Sequence, residues 1–403
     1  MIPATPCSIL LVHANGVSRK SAKLIAQRRF QHDLVRQSAT AKVIQSSGPS
    51  GRHSNSGLVA TVFGATGFLG RYLVHKLAKK GTQVIVPYRE EDSKRHLRVM
   101  GDLGQIVPLE FDLQNETSIN ECVRHSHLVY NLIGRDYETK NYSFDSVFVD
   151  GAAKITQITK DNGVNRLIHI SHLNASHDSP SKFYRAKASG EDKVKSIFPD
   201  VTIVRPSTFF GQEDRFLNKM VTKPFTFNVN RLETITRPVH VLDVAEAISL
   251  MGTAQSTVGK TFELAGPRTY SYEDLFETLE NLTLKSLTPS LNLPLPIFKL
   301  FNKIVSRAVW WPTLSEDEIV RRCIDDKEEL SEGALGFDYF GIEPDLVEDA
   351  AITYLRFYRS ALVYSASIHL LSSLKIIACI LLNKADLSPL PVLSNNFSQL
   401  YFF

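Results

Sequence analysis

The sequence predicts an α/β protein with a doubly wound parallel sheet and a smaller C-terminal α/β lobe. From Leu58 onward, short apolar runs alternate with stretches that have helical spacing. Alternation of this kind is typical of parallel strands whose connecting helices cover both faces of the sheet. A glycine-rich turn also joins the first predicted strand to the first predicted helix. With 403 residues, the chain is long enough for one large domain or two modest ones.

Six strands and several helices follow from these patterns. In chain order the strands are Leu58–Phe63, Gln83–Pro87, Ile106–Phe111, Leu128–Ile133, Arg166–Ile170 and Val201–Val204. Helices are predicted between them at Arg71–Lys80, Ser118–Arg124 and Val149–Asn162. Beyond the sheet, amphipathic helices are predicted at Ser315–Arg322 and Leu346–Arg359.

The first 50 residues differ in charge from the rest of the chain. They carry seven Lys or Arg and one acid, Asp33, which leaves 39 basic and 41 acidic residues beyond them. A basic, Ser- and Ala-rich segment with an amphipathic helix around Ser18–Phe30 is typical of a mitochondrial transit peptide. The alternative is a basic tail on a cytosolic protein. The slightly acidic body argues against nucleic-acid binding.

Cysteine and histidine placement predicts no metal site. The four cysteines are far apart and form no Cys-x-x-Cys pair, so neither a zinc site nor a disulfide framework is expected. His169, His172 and His177 were considered as metal ligands, but no acidic residue is spaced to complete a metal shell with them.

The turn after the first strand predicts a dinucleotide site. It has the form Gly-x-x-Gly-x-x-Gly, follows an apolar strand and opens a helix. Glycines in this context allow a tight turn and close approach of the backbone to a pyrophosphate at the helix N-terminus. The alternative is a purely structural turn. The expected cofactor-binding residues here are Gly64, Thr66, Gly67, Phe68, Leu69 and Gly70.

The end of the second strand favours NADPH as the cofactor. Proteins that prefer NAD carry an acid about 20 residues past the turn, where it bonds the ribose 2′-hydroxyl. This chain has Arg89 nineteen residues after Gly70, and a guanidinium there pairs with a 2′-phosphate. Glu90, Glu91 and Asp92 follow, and one of them takes the NAD role if the strand ends later.

The ends of the third and fourth strands supply further candidates. Asp112 and Leu113 follow the third strand, where an aspartate can accept from the adenine amino group. Asn131, Ile133 and Gly134 close the fourth strand. Because the carboxyl ends of parallel strands form one edge of the sheet, these residues are expected in the same cleft.

Across about residues 58–270, the chain resembles the extended or atypical short-chain dehydrogenase/reductase family. The matching motifs are the glycine turn, Asp112, Asn131, Lys187–Glu191, Arg205–Ser207 and Pro238–Ala245. In that family a tyrosine transfers the proton, and a lysine four residues later lowers the tyrosine pKa and bonds the nicotinamide ribose. A Ser or Thr after the fifth strand holds the substrate oxygen. The resemblance therefore adds Ser171, Lys187 and Pro206 to the expected cofactor site.

The proton donor of that family is missing here. Glu191 stands four residues after Lys187, as the family commonly has it, and this register puts Phe183 in the tyrosine position. Tyr184 is one residue out of register, which turns a helical side chain by about 100°. After the fifth strand, Ser171 is one position short and His172 occupies the family's Ser position. We therefore predict no catalytic residue and a retained cofactor site.

One branch of the family matches more closely, namely the nucleotide-binding accessory subunits of mitochondrial respiratory complex I. The matching blocks are Ser56–Tyr72, Arg98–Gln105, Asn131–Asp136, Glu138–Asn141, His169–Ala175 and Phe210–Asn218. The resemblance implies a subunit that holds NADPH without turning it over, on the matrix side of the inner membrane near the quinone site. It implies other complex I subunits as partners, allows contact with inner-membrane lipids and leaves no small-molecule substrate. The alternatives are an active NADP-dependent reductase or epimerase acting on a small carbonyl or sterol, and a nucleotide-free scaffold.

We accordingly divide the chain into five expected parts. Residues 1–45 form the transit peptide, 46–57 a linker, 58–205 the NADP(H)-binding Rossmann domain, 206–360 a smaller partner-contacting lobe and 361–403 an apolar tail with no assigned role. Within the lobe, the Pro-rich Leu291–Trp311 is either partner-facing or packed. Within the tail, Leu362–Leu382 is interrupted by His369 and Lys375, which favours a docked or interfacial helix over a membrane-spanning one.

Overall fold

The computed structural model describes most of the chain between residues 56 and 359. The described ranges are 56–139, 141–222, 232–284 and 315–359, with two-residue strands at 35–36, 45–46, 227–228 and 291–292. Apart from those short strands, the predicted transit peptide, nearly all of the linker, the Pro-rich segment and the tail lie outside the described residues.

A seven-stranded parallel sheet forms the centre of the protein. Its strands in chain order are β1 (Val59–Phe63), β2 (Gln83–Tyr88), β3 (Ile106–Glu110), β4 (Leu128–Asn131), β5 (Arg166–Ile170), β6 (Thr202–Pro206) and β7 (Thr261–Leu264). Their order across the sheet is β7-β6-β5-β4-β1-β2-β3, and every neighbouring pair is parallel. The predicted fold class, a Rossmann-type doubly wound sheet, is confirmed.

Six of the seven strands were predicted, with small differences at their ends. β4 ends at Asn131 rather than Ile133, and β6 runs two residues further than predicted, to Pro206. β7 was not predicted, because its alternation of polar and apolar residues is only four residues long. β7 lies within the range assigned to the smaller lobe, yet it pairs with β6, so the predicted boundary at residue 205 does not separate the sheet from the lobe.

Ten α-helices lie in the described part of the chain. In chain order they are α1 (Phe68–Lys79), α2 (Arg95–Arg98), α3 (Glu116–Val123), α4 (Ala152–Asp161), α5 (Lys182–Ile197), α6 (Leu217–Thr222), α7 (Val241–Thr253), α8 (Tyr272–Thr283), α9 (Glu316–Arg321) and α10 (Val347–Leu355). A π-helical turn, Ser146–Gly151, precedes α4. None of the helices in the described ranges is both long and apolar enough to cross a membrane.

Helices cover both faces of the sheet, as a parallel sheet requires. On one face, Leu73 of α1 and Ile248 of α7 pack with Val84 and other apolar side chains of the strands. On the other face, Ile155 of α4 and Val194 of α5 lie in a second apolar cluster. α7 therefore belongs to the helical layers of the sheet, although the sequence prediction placed it in the smaller lobe.

The smaller lobe has its own apolar core. α6, α8 and α10 contribute Leu217, Leu275 and Tyr354 to this cluster. α8 begins with a capping box in which the Ser271 hydroxyl accepts from the Asp274 amide and the Asp274 carboxylate accepts from the Ser271 amide. Such reciprocal bonds satisfy amides that the first helical turn leaves free.

Candidate nucleotide-binding site

The strand order reverses between β1 and β4. From β1 the chain connects to β2 on one side, and from β4 it connects to β5 on the other side, which leaves a crevice between the two connections. In open α/β sheets, ligands bind at this switch point, outside the carboxyl ends of the strands. Gly64 follows β1 here with φ +81°, a conformation that favours glycine. A Cβ atom at Gly64 would lie 2.9 Å from the carbonyl group of Leu132, which follows β4. The backbones after β1 and β4 therefore approach more closely than any other residue type would allow.

The three glycines of the turn have distinct structural roles. The Gly67 amide donates to the Gly64 carbonyl oxygen at 3.0 Å, which closes the turn. A Cβ atom at Gly70 would lie 2.4 Å from that same oxygen and 2.6 Å from the Ala65 Cα. Real Cβ atoms do not come this close to backbone, so α1 can pack against the turn only with glycine at position 70.

The N-terminus of α1 has the features of an anion site. Gly67 is the residue before the helix and makes no side-chain capping bond, and the first turn holds no acid. The amides of a first helical turn lack intrahelical partners and carry partial positive charge. Thr66 is half-buried beside them, Leu69 is buried, and the Phe68 ring packs edge-on against Tyr72 at 5.6 Å. Diphosphate is the ligand that this arrangement suits.

Arg89 lies directly after β2, the strand beside β1 on the adenine side of a nucleotide bound at this crevice. Its side chain is exposed, and it makes no hydrogen bond or ion pair within the described residues. Two of the three acids that follow already have basic partners: Glu91 pairs with Lys94 at 2.6 Å, and Asp92 pairs with Arg95 at 2.9 Å. Of the charged groups in this stretch, Arg89 is therefore available to a phosphate.

The ends of β3 and β4 differ in exposure. Asp112 after β3 is exposed, and its carboxylate accepts from the Gln114 amide at 3.1 Å, while Leu113 packs beside Gly151. Asn131 at the end of β4 is buried, and its side-chain oxygen accepts from the Ile133 amide at 3.2 Å. That bond fixes the backbone of Ile133 and the exposed Gly134 next to Gly64.

Asn131 also bonds to a neutral histidine. The Asn131 side-chain amide lies 3.2 Å from Nδ1 of His169 on β5. Burial, with a smaller contribution from the Lys187 charge, lowers the pKa of His169 to about 3. The ring is therefore neutral, its Nδ1 accepts from the amide, and its proton lies on Nε2.

Ser171 provides an unpaired hydroxyl at the end of β5. Its amide donates to the Val204 carbonyl oxygen at 2.7 Å, whereas its buried hydroxyl oxygen has no hydrogen-bond partner within the described residues. A buried polar atom without a partner lowers stability by about 1 to 3 kcal/mol. A ligand that bonds to this hydroxyl would remove that cost, so the residue fits a cofactor site.

Lys187 lies on α5 and reaches the same strand end. Its side chain is 6% exposed, and its ammonium donates to the Ile170 carbonyl oxygen at 3.0 Å. The ammonium also lies 4.4 Å from the centre of the Phe148 ring. Burial lowers the pKa of Lys187 to about 8, against a smaller upward effect of the Glu191 carboxylate. Lys187 and Ser171 thus flank the end of β5 from two elements.

Phe183 precedes Lys187 by one helical turn and lies on the same face of α5. It is 7% exposed, and its ring packs edge-on against Phe144 and Phe148 at 5.6 and 5.1 Å. The guanidinium carbon of Arg321 lies 4.5 Å from the ring centre. The Phe183 position on α5 is therefore filled by a side chain packed between aromatic rings and a guanidinium.

Tyr184 lies at the next position of α5 and is also buried. Burial, followed by the nearby Asp326 carboxylate, raises its pKa above the ordinary value. Its ring stacks at 4.8 Å on His172, whose Nδ1 accepts from the Asn174 amide. The Tyr184 phenol is thus harder to ionise than a free one, which is the opposite of what a proton-transferring tyrosine requires.

A network of ion pairs connects α5 to β6 and β7. The Arg205 guanidinium on β6 bonds to Glu191 at 2.7 Å and to Glu263 on β7 at 3.1 Å. Pro206 ends β6, and its carbonyl oxygen accepts from the Leu173 amide at 2.9 Å. These bonds join the ends of β5, β6 and β7 to the helix that carries Lys187.

The structure brings the predicted residues together in two groups. The glycine turn, Ile133 and Gly134 lie at the β1–β4 crevice, with Arg89 and Asp112 on the β2–β3 side. Ser171, Lys187 and Pro206 lie at the ends of β5 and β6. The sequence prediction did not include Asp317, Arg321 and Asp326. They contact Ser181, Phe183 and Asn174, on the elements that carry the second group, from more than 100 residues away in the chain. No local motif marks them.

Among the described residues, one group of potential metal ligands lies elsewhere. His240, Asp243 and Asp345 have ligand atoms within 4.8 Å of one another. The His240 ring already bonds to Asp345 at 2.9 Å, and the Asp345 amide donates to Asp243 at 2.8 Å. These bonds account for the geometry without an ion.

Known proteins match both the predicted nucleotide-binding region and most of the chain. The NAD(P)H-binding family matches residues 64–248. The 40 kDa subunit of NADH-ubiquinone oxidoreductase from Neurospora crassa mitochondria is 43% identical over 338 residues, which cover 84% of this chain and 89% of that protein. The mouse mitochondrial NADH dehydrogenase [ubiquinone] 1 alpha subcomplex subunit 9 is 42% identical, over 78% of this chain and 84% of that one.

The chain belongs to the alpha subcomplex subunit 9 (40 kDa subunit) family of mitochondrial NADH-ubiquinone oxidoreductase. Solved structures agree on the fold. A Citrobacter triphenylmethane reductase in complex with NADP(H) aligns over 73% of this chain with a TM-score of 0.57 at 15% identity. The NADPH-dependent quinone oxidoreductase QOR2 of Escherichia coli aligns over 74% with a TM-score of 0.56 at 17% identity. The family match supports a nicotinamide nucleotide as the ligand of the site.

Proposed function

We propose that this chain is a non-catalytic NADPH-binding accessory subunit of mitochondrial respiratory complex I. It is needed for assembly or stability near the quinone site, and it lies at the inner membrane on the matrix side. Membership of the subunit family supports the complex and the compartment, since the named relatives are mitochondrial subunits of that oxidoreductase. Other subunits of the complex are the partners, and the inner-membrane surface is adjacent.

One observation carries the non-catalytic part of the proposal. The side chain one turn before Lys187 is the buried phenylalanine Phe183, which has no proton to transfer. Tyr184 does not replace it, because its pKa is raised by burial and its ring is directed to His172 and the Asp326 side. Lys187 keeps a purpose without a tyrosine, since a buried ammonium at the end of β5 can bond to a ribose hydroxyl.

Arg89 is exposed and has no partner in the part of the chain that the structure describes, which supports NADPH rather than NADH. A guanidinium bonds a phosphate in a bidentate manner, whereas it offers a ribose hydroxyl only an ordinary bond. Bound nucleotide would act on assembly through mass action. A ligand that binds the folded chain and not the unfolded one raises the free energy of unfolding by about 2.7 kcal/mol at 100 times its dissociation constant.

The direct test is to identify what the purified full-length chain retains. Denaturation of the natural protein should release one NADPH per chain, measured by mass spectrometry and absorbance. The same protein should show no hydride transfer to a panel of carbonyl and sterol acceptors. Release of no nucleotide would support a scaffold instead, and robust turnover would establish an active reductase.

A further inference from the structure

Residues 315–326, hereafter the cap segment, run across the ends of β4, β5 and β6 on the side of Lys187. The segment contains α9 and the turn that follows it. It lies within the range assigned to the smaller lobe, more than 100 residues after the sheet strands whose ends it contacts. Three of its side chains make these contacts: Asp317, Arg321 and Asp326.

Asp317 caps the N-terminus of α5. Its carboxylate accepts from the Lys182 amide at 2.8 Å, from the Phe183 amide at 3.3 Å and from the Ser181 hydroxyl at 2.8 Å. α5 has no acid in its own first turn, and Ser181 makes no capping bond of its own. A negative charge at this end of a helix also interacts favourably with the helix dipole. The helix that carries Lys187 thus begins on a carboxylate from the cap segment.

Arg321 connects the cap segment to Phe183 and to the chain after β4. Its guanidinium stacks on the Phe183 ring at 4.5 Å and donates to the Asp136 carbonyl oxygen at 2.8 Å. It also lies 3.5 Å from the Asp317 carboxylate, which aligns the two side chains. Arg321 therefore holds the cap segment against α5 and against the chain that follows β4.

Asp326 anchors the other end of the cap segment in a buried position. Its carboxylate accepts from the Asn174 side chain at 2.7 Å, the Ser207 hydroxyl at 2.8 Å and the Thr236 hydroxyl at 3.0 Å. The Arg237 amide donates to the same carboxylate at 3.0 Å. Asn174 and Ser207 follow β5 and β6, so this end is fixed to the strands whose ends form the Lys187 half of the site.

We propose that Asp317 is a positioning residue for the nucleotide, and that binding of the nicotinamide half and docking of the cap segment stabilise each other. The inference rests on the proposed nucleotide site. Asp317 fixes the first turn of α5, and Lys187 lies in the second turn, where the family role is to hold the nicotinamide ribose. Because coupling between two binding events is reciprocal, a nucleotide that bonds Lys187 also holds the cap segment in place. Nucleotide binding at Lys187 thereby stabilises the position of the cap segment, which lies within the smaller lobe.

The test compares two nucleotides on full-length variants. NADPH reaches Lys187, whereas adenosine 2′,5′-bisphosphate carries the 2′-phosphate but lacks the nicotinamide and its ribose. Loss of a helix cap corresponds to roughly a fivefold change in an equilibrium. We expect Asp317→Ala to weaken NADPH binding about fivefold by calorimetry and to leave the affinity for the bisphosphate unchanged. Asp317→Asn, which keeps an acceptor, should restore most of the NADPH affinity. Glu329→Ala is the matched control. Glu329 is exposed, and its substitution removes the same negative charge as Asp317→Ala.

Hydrogen exchange gives the reciprocal measurement on the natural chain. NADPH should slow amide exchange in residues 317–322, and adenosine 2′,5′-bisphosphate should not. If Asp317→Ala weakened the binding of both nucleotides equally, the effect would be general destabilisation. If it weakened the binding of neither, Asp317 would have no role. Either outcome overturns the inference. If the natural chain binds neither nucleotide, the proposed function itself fails, which distinguishes the two.

Discussion

The two halves of the nucleotide crevice are built in opposite ways. At the β1–β4 turn the protein presents backbone: Gly64 and Gly70 leave no room for a Cβ atom, and the first turn of α1 keeps its amides free. At the ends of β5 and β6 the protein presents packed side chains: Phe183 lies among aromatic rings under Arg321. The first half presents free backbone groups, and the second presents packed side chains.

This difference separates binding from catalysis within one fold. A backbone site depends on the absence of side chains, so it persists as long as the glycines do. A catalytic site depends on particular functional groups, and it is lost when one proton donor becomes a phenylalanine. Under the proposed function, Lys187 belongs to the binding half of this scheme and needs no proton donor beside it. The following variants test how independent the two halves are.

The largest effect is expected from Gly70→Ala. The new Cβ atom would lie 2.4 Å from the Gly64 carbonyl oxygen, so the turn must open and the amides of α1 must move away from a bound diphosphate. We expect NADPH affinity to fall by more than about 100-fold, as measured by calorimetry, with a lower melting temperature.

Gly336→Ala is the matched control, because the nearest atom to its Cβ position is 3.6 Å away and its φ is −100°. Retention of NADPH affinity in Gly70→Ala would place the nucleotide outside the β1–β4 crevice.

A smaller and more selective effect is expected from Arg89→Ser. Loss of a charged bond to the 2′-phosphate should weaken NADPH binding about tenfold or more while leaving NADH binding unchanged. The measurement is the ratio of the two dissociation constants. Arg124→Ser, also exposed and of the same charge, should leave that ratio at its natural value. Parallel weakening of NADPH and NADH would assign the discrimination to another residue.

The smallest effect on binding is expected from Lys187→Met. This substitution should weaken NADPH binding but stabilise the nucleotide-free protein. The pKa of Lys187 is about 8 in the folded protein and 10.5 ordinarily, so the unfolded chain binds the proton more tightly. In nucleotide-free protein the free energy of unfolding should therefore rise between pH 8 and pH 10.5 and be flat below pH 8. Removing the ammonium should stabilise the nucleotide-free protein at pH 7 by up to about 3 kcal/mol, less the lost bond to Ile170.

Thermal unfolding at pH 7 and pH 10 measures this change in the free energy of unfolding. In the same variant, Lys187→Met, NADPH affinity should fall about fivefold. Lys193→Met provides the comparison, since Lys193 is exposed on the same helix. Parallel pH profiles for Lys187→Met and the natural chain would show that the buried ammonium has no such cost.

Sequence reasoning recovered what is encoded locally. The glycine turn is recognisable because three glycines, a preceding strand and a following helix lie within 25 residues. β1 to β6 were found because each is a short apolar run between turn residues. The register that puts Phe183 in the tyrosine position came from the family resemblance, through Glu191, and stays a prediction.

The rest could not be read from local patterns. Asp317 caps a helix that begins 135 residues earlier, and Asp326 bonds to Asn174 across 152 residues. Such contacts depend on how distant parts of the chain fold back over the sheet, and no local sequence pattern indicates this. β7 was missed for a related reason, since Thr261–Leu264 is a strand because β6 offers it an edge.

The strand order also implies an order of assembly during synthesis. β2 and β3 each pair with the strand that precedes them, and so do β5, β6 and β7; only β4 returns to an earlier strand, β1. A chain that emerges amino end first therefore finds each pairing edge already formed, and the sheet grows outward in both directions. A product interrupted after β6 would still contain the β1–β4 crevice, but it would leave β6 as an open edge prone to pairing with other chains.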